Sequence, residues 1–140
     1  MTHSKEMILE RCNAVCKNTL METLSIEFTD FTEDSLTARM PVTPRVHQPD
    51  GVLHGGASVA LAESVGSAGA MIFMNGENVH VRGIEIAANH VKGIRSGYVY
   101  ARATILHKGR TTQLWQIRIE NEENELISLV KLTTITLPKK

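Results

Sequence analysis

From Lys5 to Leu20 apolar residues recur every three to four positions, at Met7, Ile8, Leu9, Cys12, Val15, Cys16 and Leu20. That period predicts an amphipathic helix packed on the main body. Between Ile26 and Met40 the pattern shortens to two β-prone stretches, IEFTDF and SLTARM, parted by Glu33-Asp34-Ser35, which predicts a β-hairpin. Pro41, Pro44 and Pro49 then exclude a long helix or a central strand from PVTPRVHQPDG. Gly55 and Gly56 open ASVALAESVGSAGAMIFM, Ala57 to Met74, long enough for about five helical turns. Small residues fill much of it and apolar residues appear all round, as expected of a central, buried helix.

Beyond Asn75-Gly76, which reads as a stop, the segments VRGIEIAANHVKG, YVYARATILHKG and TTQLWQIRIENEENELISLVKLTTITL are strand-like and predict at least four strands. In TTQLWQIRIE, Leu114, Gln116 and Arg118 alternate with Trp115, Ile117 and Ile119, the period of a strand with one buried face. Asn121 to Asn124 predicts the turn of a hairpin. A strand pair, a long helix and a run of antiparallel strands make an α+β fold with a helix against a sheet.

The chain has 140 residues, 42% of them hydrophobic and 21% charged, which predicts a single domain over 1–140 with one core. Fifteen basic and fifteen acidic residues cancel, so no global field draws the chain to nucleic acid or to an anionic membrane. The helix from Ala57 is long enough to cross a bilayer, but Glu63, three serines and two glycines inside it argue against a membrane span. Cys12 and Cys16 are the only cysteines, spaced i, i+4 with no further ligands nearby; they predict free thiols and no metal site. MTHSKEMILE lacks the features of a secretory signal, so a reducing, cytoplasmic location is expected.

Glu63 is the most informative residue, a carboxylate among Ala60, Leu61, Ala62 and Val65 with no Lys or Arg from Gly51 to His80. Burial there raises its free energy, and such carboxylates concentrate at functional sites; the competing reading is a solvent-facing or backbone-bonded glutamate. Ser67 lies one turn later on the same face. His54, Gly55 and Gly56 occupy the turn into the helix, where free N–H groups and the positive end of the macrodipole can hold an oxyanion, although a glycine pair is also ordinary turn chemistry. Gln48 sits in the rigid loop before them. No G-x-S-x-G, H-E-x-x-H or P-loop occurs. His90-Val91-Lys92 and His107-Lys108-Gly109-Arg110 supply local basic groups, or merely solvated turns.

HQPDGVLHGGASVALAESVGS, His47 to Ser67, resembles the active-site segment of hotdog-fold acyl-CoA thioesterases, and MPV, GIEIAANHV, LHKGR and QLWQI extend the likeness to Ile117. The branch it looks like contains 4-hydroxybenzoyl-CoA and dihydroxynaphthoyl-CoA thioesterases and the proofreading thioesterase of siderophore synthesis. The resemblance implies a long central helix wrapped by a curved antiparallel β-sheet, with protomers joined through their sheets in a homodimer or a homotetramer, a dimer of dimers. It implies Glu63 as nucleophile or general base, Gly55 as the amide that polarises the thioester carbonyl, and Gln48 and His54 as orienting side chains supplied across the interface. Ser67 would lie beside the leaving group. Gly83, His90, Val91, Lys92 and Gly93, with His107, Lys108, Gly109, Arg110, Thr111 and Thr112, would hold coenzyme A, its phosphates pairing with Lys92, Lys108 and Arg110.

The expected substrate is therefore an aryl- or acyl-CoA, with an acyl-carrier protein as the alternative thiol carrier and no metal or organic cofactor. Asp50 stands where close relatives usually carry an aromatic residue; it either lies near the acyl group and favours a polar or hydroxylated substrate, or points to solvent. The competing function is a non-catalytic acyl-CoA binding or regulatory domain, which has no need of a carboxylate at position 63.

Overall fold

The computed structural model describes residues 4–75 and 78–139. Helix α1 (Lys5–Ala14) is capped by Ser4, whose hydroxyl accepts from the Met7 N–H. It stops earlier than the periodicity predicts: Val15 caps it, Asn18 turns the chain at φ 64°, and Thr19 caps a new short helix, α2 (Leu20–Thr23). Asparagine tolerates the left-handed region, so the apolar repeat continues across a break that spacing alone does not register.

Strands β1 (Glu27–Phe31) and β2 (Ser35–Pro41) form the predicted hairpin. The proline loop contains a short 3-10 turn over Pro44–Val46 and an isolated antiparallel bridge from His47 to Leu53. Helix α3 spans Gly55–Phe73, and Asn75 leaves it at φ 52°; Gly76, the second half of the predicted stop, lies outside the described residues. Strands β3 (Val79–His90), β4 (Tyr98–Lys108), β5 (Thr112–Glu120) and β6 (Leu126–Pro138) follow. The β5–β6 turn is closed by the Asn121 side chain, whose Oδ1 accepts from the Glu123 and Glu125 N–H groups, with Asn124 at φ 64°.

All pairings are antiparallel, and the six strands lie in the order β1-β2-β4-β5-β6-β3, with α3 packed across β2 to β6 and reaching β1 through the stacking of Phe73 on Phe31. This is the helix-on-sheet architecture of the hotdog fold. Alternation in β5 holds as predicted: Trp115, Ile117 and Ile119 are fully buried while Leu114, Gln116 and Arg118 face the other way, half-buried. Small helix residues let the layers approach closely. A methyl group on Gly66 would stand 2.4 Å from Leu132 Cδ2, and one on Gly69 would stand 2.9 Å from the Trp115 ring. Burying the apolar face of α3 on these strands removes it from water, the main favourable term in folding.

α1 docks on the outer strand β1. Asn13 reproduces a strand partner there, its Oδ1 accepting from the Phe28 N–H (2.7 Å) and its Nδ2 donating to the Phe28 carbonyl (3.1 Å), while Lys5 pairs with Asp30 at 2.6 Å. An otherwise open sheet edge is thus covered, and α1 is held across from α3 with a cavity between them.

Candidate active site

At its start, α3 is capped by His54, and the cap decides which amide remains free. His54 Nδ1 accepts from the Gly56 N–H at 2.8 Å, and its carbonyl accepts from Ala57 and Ser58. Among the described residues the Gly55 N–H has no acceptor, and it lies at the positive end of a 19-residue helix. Because Nδ1 accepts, the neutral imidazole carries its proton on Nε2, a donor facing outward.

His90 closes the other side of this amide. A methyl group on Gly55 would lie 2.8 Å from His90 Nε2, so only glycine leaves room for the ring and an incoming oxygen together. His90 Nδ1 is bonded to Ser128 Oγ at 2.6 Å, and Ser128 is fully buried. Ser128 has no signal of its own in the sequence beyond being a polar residue in a core-facing register of β6.

The loop before α3 docks on the same end. The Gln48 N–H donates to the Val52 carbonyl, the Leu53 N–H to the Ile94 carbonyl, and Val52 packs against Gly93. Gln48 Nε2 donates to Asp50 Oδ1 at 2.9 Å, and Arg95 donates to the Asp50 carbonyl. Asp50 is exposed on this loop, and its carboxylate holds Gln48.

Glu63 lies elsewhere. Eight residues separate it from Gly55, about 12 Å along the helix axis. Its carboxylate reaches toward β3, where a methyl group on Gly83 would stand 2.4 Å from Oε2. Contrary to the sequence reading, Glu63 is half-buried rather than buried, because its side chain faces a cavity of about 860 Å³. Ser67 lines the same cavity, whereas Gln48, His54 and Gly55 do not.

The residues expected to hold coenzyme A also divide. His90 pairs with Ser128 across the β3–β6 ladder, and Gly83 pairs with Thr134, close to the level at which Thr112 pairs with Ile135. Seven residues of strand separate Ser128 from Ile135, about 23 Å. One end of the sheet therefore carries Gln48, His54, Gly55 and the segment His90, Val91, Lys92 and Gly93. Toward the other lie Glu63, Ser67, Gly83 and the turn His107, Lys108, Gly109, Arg110, Thr111 and Thr112, closed by the Gly109 N–H donating to the Thr112 carbonyl. The exposed Lys92 ammonium is paired with Glu125, itself held by Asn121. Lys108 and Arg110 are exposed.

Cys12 and Cys16 are free, buried thiols; burial pushes Cys12 up to about 11 and also raises Cys16. Neither is a nucleophile near neutral pH. Among the described residues no group of His, Cys, Asp and Glu is arranged to hold a metal.

A sequence profile described as the thioesterase superfamily matches residues 50–128. A thioesterase of Pseudomonas aeruginosa, solved as a glutamine-to-alanine variant, superposes with a TM-score of 0.91 at 42% identity, over 99% of this chain and 96% of that one. The 1,4-dihydroxy-2-naphthoyl-CoA hydrolase of Escherichia coli is 42% identical over 137 residues, 98% of this chain and 100% of its own. The proofreading thioesterase EntH of Cronobacter turicensis is 42% identical over 138 residues, 98% of this chain and 99% of its own.

Proposed function

The chain belongs to the thioesterase superfamily, and from that premise we propose that it hydrolyses acyl- or aryl-CoA thioesters in a site assembled from two copies. The observation that carries this reading is the separation of the parts. A free Gly55 N–H suited to a carbonyl oxygen stands about 12 Å along the helix from the only carboxylate on α3. A second chain that places its Glu63 against this chain's Gly55 turn completes both ends at once. The twelve-residue outer strand β3 supports such pairing, because it is hydrogen-bonded to β6 on one side only.

In the assembled site, Gly55 donates to the thioester oxygen as negative charge develops on it, a contribution of about 2.7–4 kcal/mol for a well-placed donor. Gln48, braced by Asp50, and His54, with its proton on Nε2, orient the ester and the water. Glu63 attacks the acyl carbon to give a mixed anhydride that water hydrolyses once the thiol has left, or it takes the proton from a water that attacks the acyl carbon directly. The C–S bond then breaks, and the thiolate of coenzyme A leaves and is protonated by solvent. The acid leaves free, and no metal or organic cofactor is required.

A thiol-release assay across aromatic and aliphatic CoA esters tests the activity. Glu63→Gln is expected to lose about 10²–10⁴-fold or more in kcat while still binding a non-hydrolysable substrate analogue. Near-normal turnover in that variant removes Glu63 from the mechanism, and a chain that binds acyl-CoA without turning it over is the non-catalytic binding domain instead.

A further inference from the structure

The cavity beside Glu63 carries chemistry of its own, and reading it as the acyl site rests on the thioesterase function proposed above. Its floor is made by Ile8, Cys12 and Phe28, each no more than 9% exposed. Its rim is apolar as well: Val15, Leu20 and Met71 line it and are 67%, 59% and 41% exposed. Large apolar side chains left in water at one opening mark a surface that a ligand covers. The volume of about 860 Å³ is in the range of small-molecule sites.

The polar groups are distributed unevenly. Glu63 and Ser67 stand together on α3, and the Ser64 hydroxyl is already committed to the Ala60 carbonyl at 2.7 Å. The remaining polar lining, Arg11, Asn75, His80, Arg82 and Lys139, is exposed and therefore belongs to the opening. Among the described residues the only hydrogen-bonding side chain on the floor is the Cys12 thiol, a weak donor. A ring hydroxyl pushed to that depth loses water without gaining a partner. An aryl group also finds little to stack on. Phe28 is the one Phe, Tyr or Trp on the wall among the described residues, while Phe31 stacks on Phe73, Phe73 tilts against Trp115, and Tyr98 packs with Tyr100 and Arg39. Met21, Met71 and Cys12 add soft, adaptable surface that moulds to a flexible chain.

The geometry points to a linear aliphatic acyl group of medium length as the substrate class, with the thioester carbon at Glu63 and Ser67 and the methyl end against Ile8, Cys12 and Phe28. The site is thereby tuned away from hydroxylated aryl groups.

The experiment compares kcat/KM for acetyl-, hexanoyl-, decanoyl- and 4-hydroxybenzoyl-CoA in the unaltered protein and two variants. Each methylene drawn out of water is worth up to about fourfold, so the hexanoyl ester should exceed the acetyl ester by at least about tenfold, and the decanoyl ester should exceed the hydroxybenzoyl ester. Leu20→Asp puts a carboxylate on the rim at the first position of α2, where an acid suits the helix start and the exposed site spares the fold. It should cost the decanoyl ester about tenfold or more and leave the acetyl ester within about twofold. Cys12→Leu raises the floor and should move the optimum to a shorter chain. A hydroxybenzoyl preference, a flat chain-length profile, or a Leu20→Asp effect equal on both aliphatic esters overturns the assignment while leaving the hydrolase intact. Absence of thiol release from every ester overturns the hydrolase and this assignment together.

Discussion

Gly83 offers a way to move the carboxylate without touching it. A methyl group added there would lie 2.4 Å from Glu63 Oε2 and 3.2 Å from Cδ, against 3.4 Å for ordinary contact, so the carboxylate must retreat by about 1 Å. It has somewhere to go, because Glu63 faces the open cavity. A displacement of about 1 Å at a reacting group costs on the order of 10²-fold in rate. The fold should not suffer. Gly83 is not in the left-handed region, and Gly→Ala at a compatible backbone stabilises by about 0.4–1 kcal/mol through the unfolded chain. Gly83→Ala is therefore expected to lose about 10²-fold in kcat with unchanged or slightly higher stability. Gly66→Ala is the contrast: its methyl group would stand 2.4 Å from Leu132 Cδ2 in the fully buried core, and overpacking there should destabilise by about 1–3 kcal/mol. Steady-state thiol release and urea denaturation, run on both variants, separate the two effects. Wild-type kcat in Gly83→Ala, or an activity loss that merely follows its loss of stability, refutes the placement of Glu63 as the reacting carboxylate.

Mixed assemblies of Glu63→Ala and Gln48→Ala chains should recover part of the activity that each lacks alone, since one of the two sites in a dimer would be intact; no recovery in verified mixed dimers places the site within one chain. Acid denaturation should feel two carboxylates: hydrogen bonding to Lys5 holds Asp30 below its ordinary range, and hydrogen bonding to Lys92 does the same for Glu125. A depressed folded value binds fewer protons than the unfolded chain, so this stability is present above about pH 4–5 and lost as pH falls through the folded values. Lys5→Met and Lys92→Met should each flatten that limb slightly, both pairs being solvent-exposed, and an unchanged urea midpoint against pH would show the pairs to be inert. The Cys12 thiol, pushed up to about 11, should react with an aromatic disulfide reagent far more slowly in the native protein at pH 8 than after unfolding; rapid native reaction would mean that the α1 side of the cavity opens.

What the sequence decided by itself is local. Period-two alternation places Trp115, Ile117 and Ile119 inside because neighbouring side chains on a strand must point to opposite faces. Asn121 and Asn124 turn the β5–β6 hairpin because short polar side chains hydrogen-bond their own backbone and tolerate positive φ. The helix start at Gly55 is legible for the same reason, its cap lying in the adjacent residue. Whatever depends on partners distant along the chain was not legible. Ser128 meets His90 across 38 residues, Glu125 takes Lys92 across 33, and Thr134 bridges Trp115 and Gln113 across 19 and 21. The half-exposure of Glu63 is not legible either, because an apolar run in sequence does not say which flank of a helix faces a cavity. The tertiary structure alone decided that Glu63 faces a cavity lined by α1, β1 and β3 while Gly55 sits beside His90 and Ser128. A helix rises only about 1.5 Å per residue, while the order of strands fixes which distant side chains come within reach of each end.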